Sequence, residues 1–554
     1  MPIPLQRSPG VRTGTTRLIA TLAFFTLPAP AQAPERPTVL RVTTRLVEVS
    51  VIVHDKKGQP VGGLSRDDFE LLDQGKPQQI HFFSEQSNRT PPAARKPLPA
   101  NMFSNRPEYR YDVPTSVTVV LFDWLNAQFE DAAYARRQVV HFLEQVQPND
   151  RVGIYALVDT GHLRVIHDFS SDAEELVRAL QLFTGSIPRQ LIPPERRAQV
   201  AAARGDAARV AGELENWLSE SGREPARTDL ENRVQETMTA IESIAHYLQR
   251  IPGRKNLIWV SSAFPSLIEW QERLRGGRVE FPLTFSYEIN RATRALNDAN
   301  VAIYPVDARG LVGNPAFTAA QQQPPFDSIA PELPWDSNLD NMKRVAELTG
   351  GRAFYDSNDI EGAMRGAISD SQVTYTLGYY PAHNKWDGRF HEIKVKVSRP
   401  GVTVRCRRGY FATPEAVADH DQIQRELFDA VWSPLDSTGL GVVVRVRRGQ
   451  PGVLKLTLRL NAREVRFEQK DGRWMATLDV LTLQKNAAGL EVATSSQTAA
   501  LKLRGETHDR ALKWGLYLTK TVRLADGPGE LRVVIRDRQS GSLGSVSISP
   551  LPGH

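Results

Sequence analysis

Four short apolar runs separated by helix-length segments constrain this chain more than any other feature. VTVVLF at 117–122, VGIYALV at 152–158, NLIWVSS at 256–262 and VAIYPV at 301–306 are each bounded by turn residues, the pattern of strands buried on both faces. Between them, Val139, Phe142, Leu143 and Val146, and later Val234, Ile241, Ile244 and Leu248, recur at helical spacing. Strand and helix alternating in this way predict an α/β domain over 113–372, a mostly parallel sheet wrapped by helices. The first run ends at Asp123 and continues Trp124-Leu125-Asn126-Ala127. That places a carboxylate at the carboxyl end of a buried parallel strand, where open α/β sheets bind ligands.

The flanks read as β. Alternating LRVTTRLVEVSVIVHD, then FELLD and QIHFF around Gln74-Gly75-Lys76-Pro77, fill 38–86 with too few strands to close a core. VTYTLGYY, HEIKVKV and VTVRCRRGYF at 373–412 supply the partners, so the α/β domain is expected to be inserted into one discontinuous β-sandwich. Segment 87–112, rich in Pro, Asn and Arg, reads as linker. Within the α/β domain, LRVI at 163–166 suits a hairpin edge, the Arg- and Ala-rich stretch 187–227 a helical insertion, and Thr228 the cap of the helix that follows. After a helix holding Ile423, Leu427 and Val431, alternating strands with turns about every ten residues predict a second, immunoglobulin-like sandwich over 413–554.

The first 33 residues read as an export signal. Arg7, Arg12 and Arg17 precede the apolar stretch Leu18 to Leu27, and Ala29-Pro30-Ala31-Gln32-Ala33 offers cleavage after Ala31 or Ala33. No later segment reaches the roughly 20 apolar residues a spanning helix needs, so no integral membrane segment is expected in the mature chain. Loss of the three arginines lowers the formal charge from +6 to +3, and without a basic block nucleic acid is not an expected partner. Cys406 is the only cysteine, which excludes an intrachain disulfide, and its alternating strand context makes it a packing residue. The expected location is periplasmic or extracellular.

The stretch VTVVLFDWLNAQFEDAAYARRQVVHFLEQVQPNDRVGIYAL resembles the first half of a von Willebrand factor A domain. More specifically, RVTTRLVEVSVIVHDKKGQPVGGLSRDDFELLDQGKPQQIHFF, IPGRKNLIWVSSAFP, VAIYPVDARGL, VAELTGG and YTLGYYP resemble, in that order, the VWFA-related Acidobacterial domain family. The resemblance runs from about Arg41 to the end and implies a secreted bacterial protein with a β-sandwich flanking an A-type domain. It implies no particular activity. In cation-binding A domains an Asp-x-Ser-x-Ser turn, a Thr from a second loop and an Asp from a third hold the metal. Here Leu125 and Ala127 replace the two serines, Thr228 is the candidate second-loop residue, and Ser261-Ser262-Ala263 stands where Thr-Asp-Gly is usual. One carboxylate with a few hydroxyls suits poorly an ion such as Mg²⁺ that gives up its water reluctantly. No cofactor is therefore expected, and Asp123, Thr228 and Ser262 are only weak metal candidates.

Two other roles fit the same residues. Asp123 and Asn126 can cap the local turn, or the crevice around Asp123, Trp124, Asn126, Thr228, Ser261 and Ser262 can bind a protein without metal, with Trp124 and Phe129 as apolar contacts if they are exposed. Enzyme readings are weaker. Asp159-Thr160-Gly161 has no second Asp-Thr/Ser-Gly partner, which an aspartic protease needs. Asp336, Asn338, Asp340 and Glu347 match calcium-loop spacing, but Asn341 sits at the obligatory Gly, and Met342, Val345, Ala346 and Leu348 predict a helix. His391-Glu392 lies in a strand pattern without a second His at helical distance. The expectation is an exported, non-enzymatic protein-binding or adhesion-type protein. The alternatives are a structural or assembly component that uses its sandwich edges, or a hydrolase of unknown type.

Overall fold

The computed structural model describes residues 46–87, 94–110, 112, 116–127, 129–158, 162–183, 223–262, 286–310, 335–382, 386–412, 420–525 and 528–549. In chain order, β1 (Val47–His54), β2 (Phe69–Asp73), β3 (Lys76–Gln78) and β4 (Phe82–Ser87) precede β5 (Met102–Ser104) and the one-turn helix α1 (Pro107–Arg110). An alternating stretch follows: β6 (Val117–Asp123), α2 (Phe129–Leu143), β7 (Val152–Leu157), β8 (Leu163–Ser170), α3 (Ala173–Leu182), α4 (Arg223–Leu248), β9 (Lys255–Ser261), α5 (Ser286–Asp298), β10 (Val301–Asp307), α6 (Trp335–Thr349) and α7 (Ile360–Ser369). Then come β11 (Val373–Tyr379), β12 (Phe390–Val397), β13 (Thr403–Cys406), β14 (Gly409–Phe411) and α8 (His420–Trp432). The chain ends with β15 (Val442–Arg448), β16 (Val453–Leu460), β17 (Glu468–Lys470), β18 (Arg473–Asn486), β19 (Glu491–Leu503), α9 (Gly505–Trp514), β20 (Leu516–Arg523), β21 (Pro528–Asp537) and β22 (Leu543–Ile548).

The apolar runs form a five-stranded sheet of order β10-β9-β6-β7-β8, parallel except for the antiparallel edge β8, and a parallel bridge from Val306 to Phe354 continues it beyond β10. Alternate β6 residues explain why both faces need cover. Val117, Val119 and Leu121 pack with Ile241, Ile244, Leu248 and Leu296, from α4 and α5, on one face. Val120 and Phe122 pack with Val139, Phe142, Leu176 and Met364, from α2, α3 and α7, on the other. Each such fully buried aliphatic side chain contributes on the order of 1.5–3 kcal/mol, so this double wrapping is the main stabilisation of the unit. The helix at α4 begins at Arg223, which places Thr228 inside it and not at its cap. Of the insertion expected at 187–227, residues 187–222 lie outside the described residues, as does Asp159-Thr160-Gly161. The calcium-like spacing from Asp336 to Glu347 runs through α6.

Strands from both ends of the inserted unit share one sandwich. The sheet β13-β1-β11-β4 faces β14-β12-β2-β3 across Val49, Val51, Leu71, Tyr375, Leu377 and Ile393. Its junction with the α/β unit is polar. Arg254, just before β9, donates to Gly350 O at 2.6 Å, to Tyr304 Oη at 3.2 Å and to Ser50 Oγ at 3.3 Å. Tyr304 in turn donates to Asp370 at 2.8 Å, and Arg405 and His54 also reach that carboxylate. The glycine pair ending α6 lets this junction close. Gly350 holds φ +77°, and a Cβ on Gly351 would sit 1.9 Å from Ile303 O, so a side chain there would push α6 off β10.

The second sandwich sets β20-β16-β15-β5 against β17-β18-β21-β22, with β19 on the other side of β18. Its strand β5 comes from segment 87–112, so that segment is not a plain linker. MFS supplies an extended edge whose backbone pairs with Val443 to Arg445. Asn105, fully buried, fixes the join: its Nδ2 donates to Ser437 O and Leu440 O, and its Oδ1 accepts from Val442 N, each at 2.7 Å. The α/β unit meets this sandwich through Thr438, which donates to Tyr247 O at 3.0 Å and accepts from Arg250 N at 3.1 Å.

Two outcomes follow from these contacts. Asn105→Ala leaves two carbonyls and one amide without partners, which costs about 2–4 kcal/mol. Asn105→Asp is at least as harmful, because a carboxylate would face the carbonyls of Ser437 and Leu440; urea midpoints of the three proteins decide, and an unchanged midpoint for either variant removes the proposed role of the join. Between α4, α5 and α8, burial pushes the Glu242 carboxyl up to about 7, partly opposed by Arg291 at 2.5 Å and reinforced by Asp429 and Glu426. Folding therefore favours the protonated acid, so its contribution is full below about 4.5 and is lost as pH rises through about 7. Glu242→Gln flattens that part of the stability profile, and a variant with the parent's slope shows that Glu242 is not its source.

Candidate functional site

The crest of the parallel sheet is formed where β6, β7, β9 and β10 end at Asp123, Leu157, Ser261 and Asp307. After Asp123 the backbone stays close to the sheet, with Trp124 N donating to Leu157 O at 2.9 Å and Leu125 N to the same oxygen at 3.1 Å. Asn126 N then turns back to Asp123 Oδ1 at 3.0 Å, an Asx turn of the kind short polar side chains favour.

The Asp123 carboxylate is 1% exposed and surrounded by donors. Asn126 Nδ2 donates to Oδ1 at 3.0 Å and to Oδ2 at 2.9 Å, while Trp259 Nε1 and Ser261 Oγ each donate to Oδ2 at 3.0 Å. Asn126 Nδ2 also reaches Thr237 Oγ1 at 2.9 Å, and Thr237 donates to Arg233 O one helical turn back at 2.7 Å. Strands β6 and β9 and helix α4 are thus joined through one acid. Burial raises its pKa above the ordinary carboxylate range, against the pull of the donors from Asn126, Trp259 and Ser261. A carboxylate has about four acceptor positions, and Asn126 N, Asn126 Nδ2, Trp259 Nε1 and Ser261 Oγ take them up.

This set does not suit a divalent cation. An ion at Asp123 would have to displace N–H and O–H donors that face the carboxylate, and among the described residues no second acid is shown beside it. On the next strand but one, Asp307 is gripped by Arg309, with Nε at 2.9 Å from Oδ1 and Nη2 at 2.6 Å from Oδ2, so the crest carries a guanidinium there. Among the described residues no group of three or more His, Cys, Asp or Glu is placed to hold a metal. Asn126 Oδ1 and Ser262 Oγ are buried and lack a hydrogen-bond partner among the described residues. Two neutral oxygens remain a weak field for a hard ion.

The candidate residues therefore divide. Asp123, Asn126 and Ser261 come together in one network, and Ser262 is buried next to Ser261 in the chain without joining it. Thr228 lies on α4, with its side chain outside the described residues. The threonine that meets Asn126 is Thr237, nine residues further on. Only its helical phase with Val234 and Ile241 hinted at this, since all three lie on the buried stripe of α4. Trp124 is buried, so the exposure on which its role as an apolar contact depends is not met. Its ring stacks on Phe183 with centroids 5.0 Å apart and 7° between planes, and on Phe122 at 5.5 Å, because the turn holds it over the core of α2 and α3. The side chain of Phe129 lies outside the described residues.

A second buried acid escaped the sequence reading. Asp73 accepts from Tyr379 Oη at 2.9 Å and Tyr410 Oη at 3.1 Å and lies 3.2 Å from His391 Nδ1. His391 is therefore tied into the first sandwich. Burial, with the nearby Asp73 carboxylate, raises both tyrosines above their ordinary pKa. Burial also pushes the Cys406 thiol up to about 11, which keeps it protonated and poorly nucleophilic at neutral pH.

No protein-family model and no curated protein matches the chain. Solved structures match it in part. An aerotolerance-related membrane protein from Bacteroides fragilis, carrying multiple mutations to serine, aligns at 15% identity over 46% of this chain and 98% of its own, with a TM-score of 0.26. The pilus adhesin SpaC from Lactobacillus rhamnosus GG aligns at 9% identity over 88% and 58%, with a TM-score of 0.26. The ArnB paralog VWA2 from Sulfolobus acidocaldarius aligns at 9% identity over 87% and 74%, with a TM-score of 0.19. Proteins with von Willebrand A domains are thus among those to which the chain is similar.

Removing single donors tests the network around Asp123. Trp259→Phe keeps the ring and loses one charge-assisted bond, at a cost of about 1.5–3 kcal/mol. Asn126→Ala loses the amide that joins β6 to α4 and costs about 2–4 kcal/mol. Urea denaturation measures both, and values within about 0.5 kcal/mol of the parent would show the acid to be satisfied by other means.

Proposed function

We propose that this chain is an exported, non-enzymatic binding or adhesion-type protein of the VWFA-related Acidobacterial kind, in which an A-type α/β domain is inserted in one β-sandwich and followed by an immunoglobulin-like one. The motifs from Arg41 onward support the family reading, and the doubly wound sheet with its antiparallel third strand supports the A-type reading. Its partner is another protein, met in the periplasm or outside the cell. No helix among the described residues is long and apolar enough to cross a membrane.

One observation carries the mechanism: the Asp123 oxygens are already filled by Asn126, Trp259 and Ser261. Recognition in this reading needs no cation bridge and no cofactor, and Asp123 acts as a rivet between strands and helix. Asp123, Trp124, Asn126, Ser261 and Ser262 are buried, so in this reading they shape a binding surface from beneath and do not touch the partner. A second reading, an assembly component working through sandwich edges, has its own support. The 13-residue strand β19 pairs with β18 and with no other described strand, and an unpaired edge is a ready template for another strand.

Titration of the purified mature protein with Mg²⁺, Mn²⁺ and Ca²⁺ tests the first reading. A native-state site filled at about 100 times its Kd adds about 2.7 kcal/mol, whereas the saturated acid predicts no rise in melting temperature with any of the three. A saturable rise abolished by Asp123→Asn refutes it, as does turnover in a broad hydrolase screen. The edge reading predicts that Thr494→Lys with Ser496→Lys, both on exposed positions of β19, weakens assembly without moving the melting temperature.

A further inference from the structure

At one end of the second sandwich a cavity of about 320 Å³ opens between β16, α9 and the segment after β5. That volume lies within the range of small-ligand pockets, about 300–1,000 Å³. Arg106, Arg459, Arg463 and Lys513 line it, together with Trp514 and the backbone of Gly515. Gly515 is what keeps the floor open. It holds φ +93°, and a Cβ there would come within 2.9 Å of Leu460 O and 3.2 Å of Arg459 Cγ.

Three of the four cations of this cavity are not neutralised among the described residues. Arg459, Arg463 and Lys513 make no ion pair among the described residues, and Arg106 lies 3.9 Å from Glu108 with its Nε buried and without a hydrogen-bond partner. The nearest acid in sequence, Glu464, sits at the edge of the cavity with its oxygens already occupied: Oε2 accepts from Gly441 N at 2.6 Å and Oε1 from Nδ2 of the lining residue Asn461 at 2.8 Å, with Arg250 at 3.5 Å. Beside the charges stands a flat apolar surface, since Trp514 is 62% exposed and Lys513 Nζ lies 5.2 Å from its ring centre. Three cations without an acid partner call for an anion, and guanidinium forks suit planar carboxylates. A bare anion would leave the indole face unused, whereas a ring with one apolar face would cover it.

We propose that this cavity binds an acidic saccharide, a uronic acid unit whose carboxylate sits between Arg459 and Arg463 while its ring lies on Trp514. The proposal is independent of Asp123 and of any metal there. Isothermal titration of the full mature chain with galacturonic acid trisaccharide, with maltotriose as the neutral sugar and with inorganic phosphate as the bare anion, tests it.

The trisaccharide should bind with a Kd below about 1 mM and weaken several-fold as salt rises from about 50 to about 300 mM. Arg459→Gln with Arg463→Gln should weaken it by about tenfold or more. Trp514→Ala should weaken the trisaccharide about fivefold while leaving phosphate binding unchanged, and Trp514→Phe should restore most of the loss. These side chains are at the surface, so parental urea midpoints should accompany each variant, and Lys513→Gln gives a further, milder loss. Three results overturn the proposal: no trisaccharide binding, equal binding of maltotriose, or binding that neither the arginine pair nor Trp514 affects. Phosphate binding as tight as the trisaccharide's would also overturn it, showing a site for charge alone.

Discussion

Burial of the Asp123 carboxylate is the constraint around which the centre of this molecule is organised. An ionised acid removed from water costs several kcal/mol unless its oxygens are met by donors, and here the donors come from three separate places: the turn after β6, strand β9 and, through Asn126, helix α4. The acid can stay buried only while β6 and β9 keep register and α4 keeps its rotation. That makes it a specification device as much as a source of stability. The apolar contacts of both sheet faces hold the layers together but are non-directional; the donors at the crest are directional.

The same logic recurs at the junctions between the three parts. Arg254 reaches backbone and side-chain oxygens from α6, β10 and β1, and Asp370 gathers Tyr304, Arg405 and His54. Asn105 ties the segment before the α/β unit into the sandwich that follows it, although more than 330 residues separate the partners in sequence. Polar joins of this kind are unforgiving, because losing one partner strands a buried donor or acceptor. They argue for a chain whose parts hold a fixed arrangement, with the inserted unit clamped at both its entry and its exit.

Much of this was legible in the sequence, and the reasons are particular. The runs at 117–122, 152–158, 256–262 and 301–306 have to be buried on both faces, so the mixed α/β sheet could be read from them, and LRVI could be read as the edge at β8. The calcium-like spacing around Asp336 lost to helical periodicity for the same reason. What the sequence hid depends on distance along the chain. MFS at 102–104 is too short to show alternation, and its strand character comes from β15. Thr237 could not be told from Thr228, since each is a threonine on a long helix and only the packing phase of α4 selects one. Asp73 and His391 lie 318 residues apart, and no local pattern links them. Whether Trp124 is exposed could not be read from its place after a strand end, since it is covered by Phe183, just past the end of α3.

The crest and the cavity beside Trp514 differ in how their polar groups are met. At the crest the Asp123 carboxylate is met by donors from the same chain, so an incoming ligand would have to compete with bonds already made. Around Arg459, Arg463 and Lys513 the cations remain solvated and the indole lies open, so a ligand there exchanges water for direct contacts and breaks nothing in the fold. If the cavity binds as proposed, a chain that has closed off one polar centre to fix its shape, while leaving another charged and accessible, separates stability from binding. Substitutions in the cavity can then change what is bound without loosening the framework that presents it.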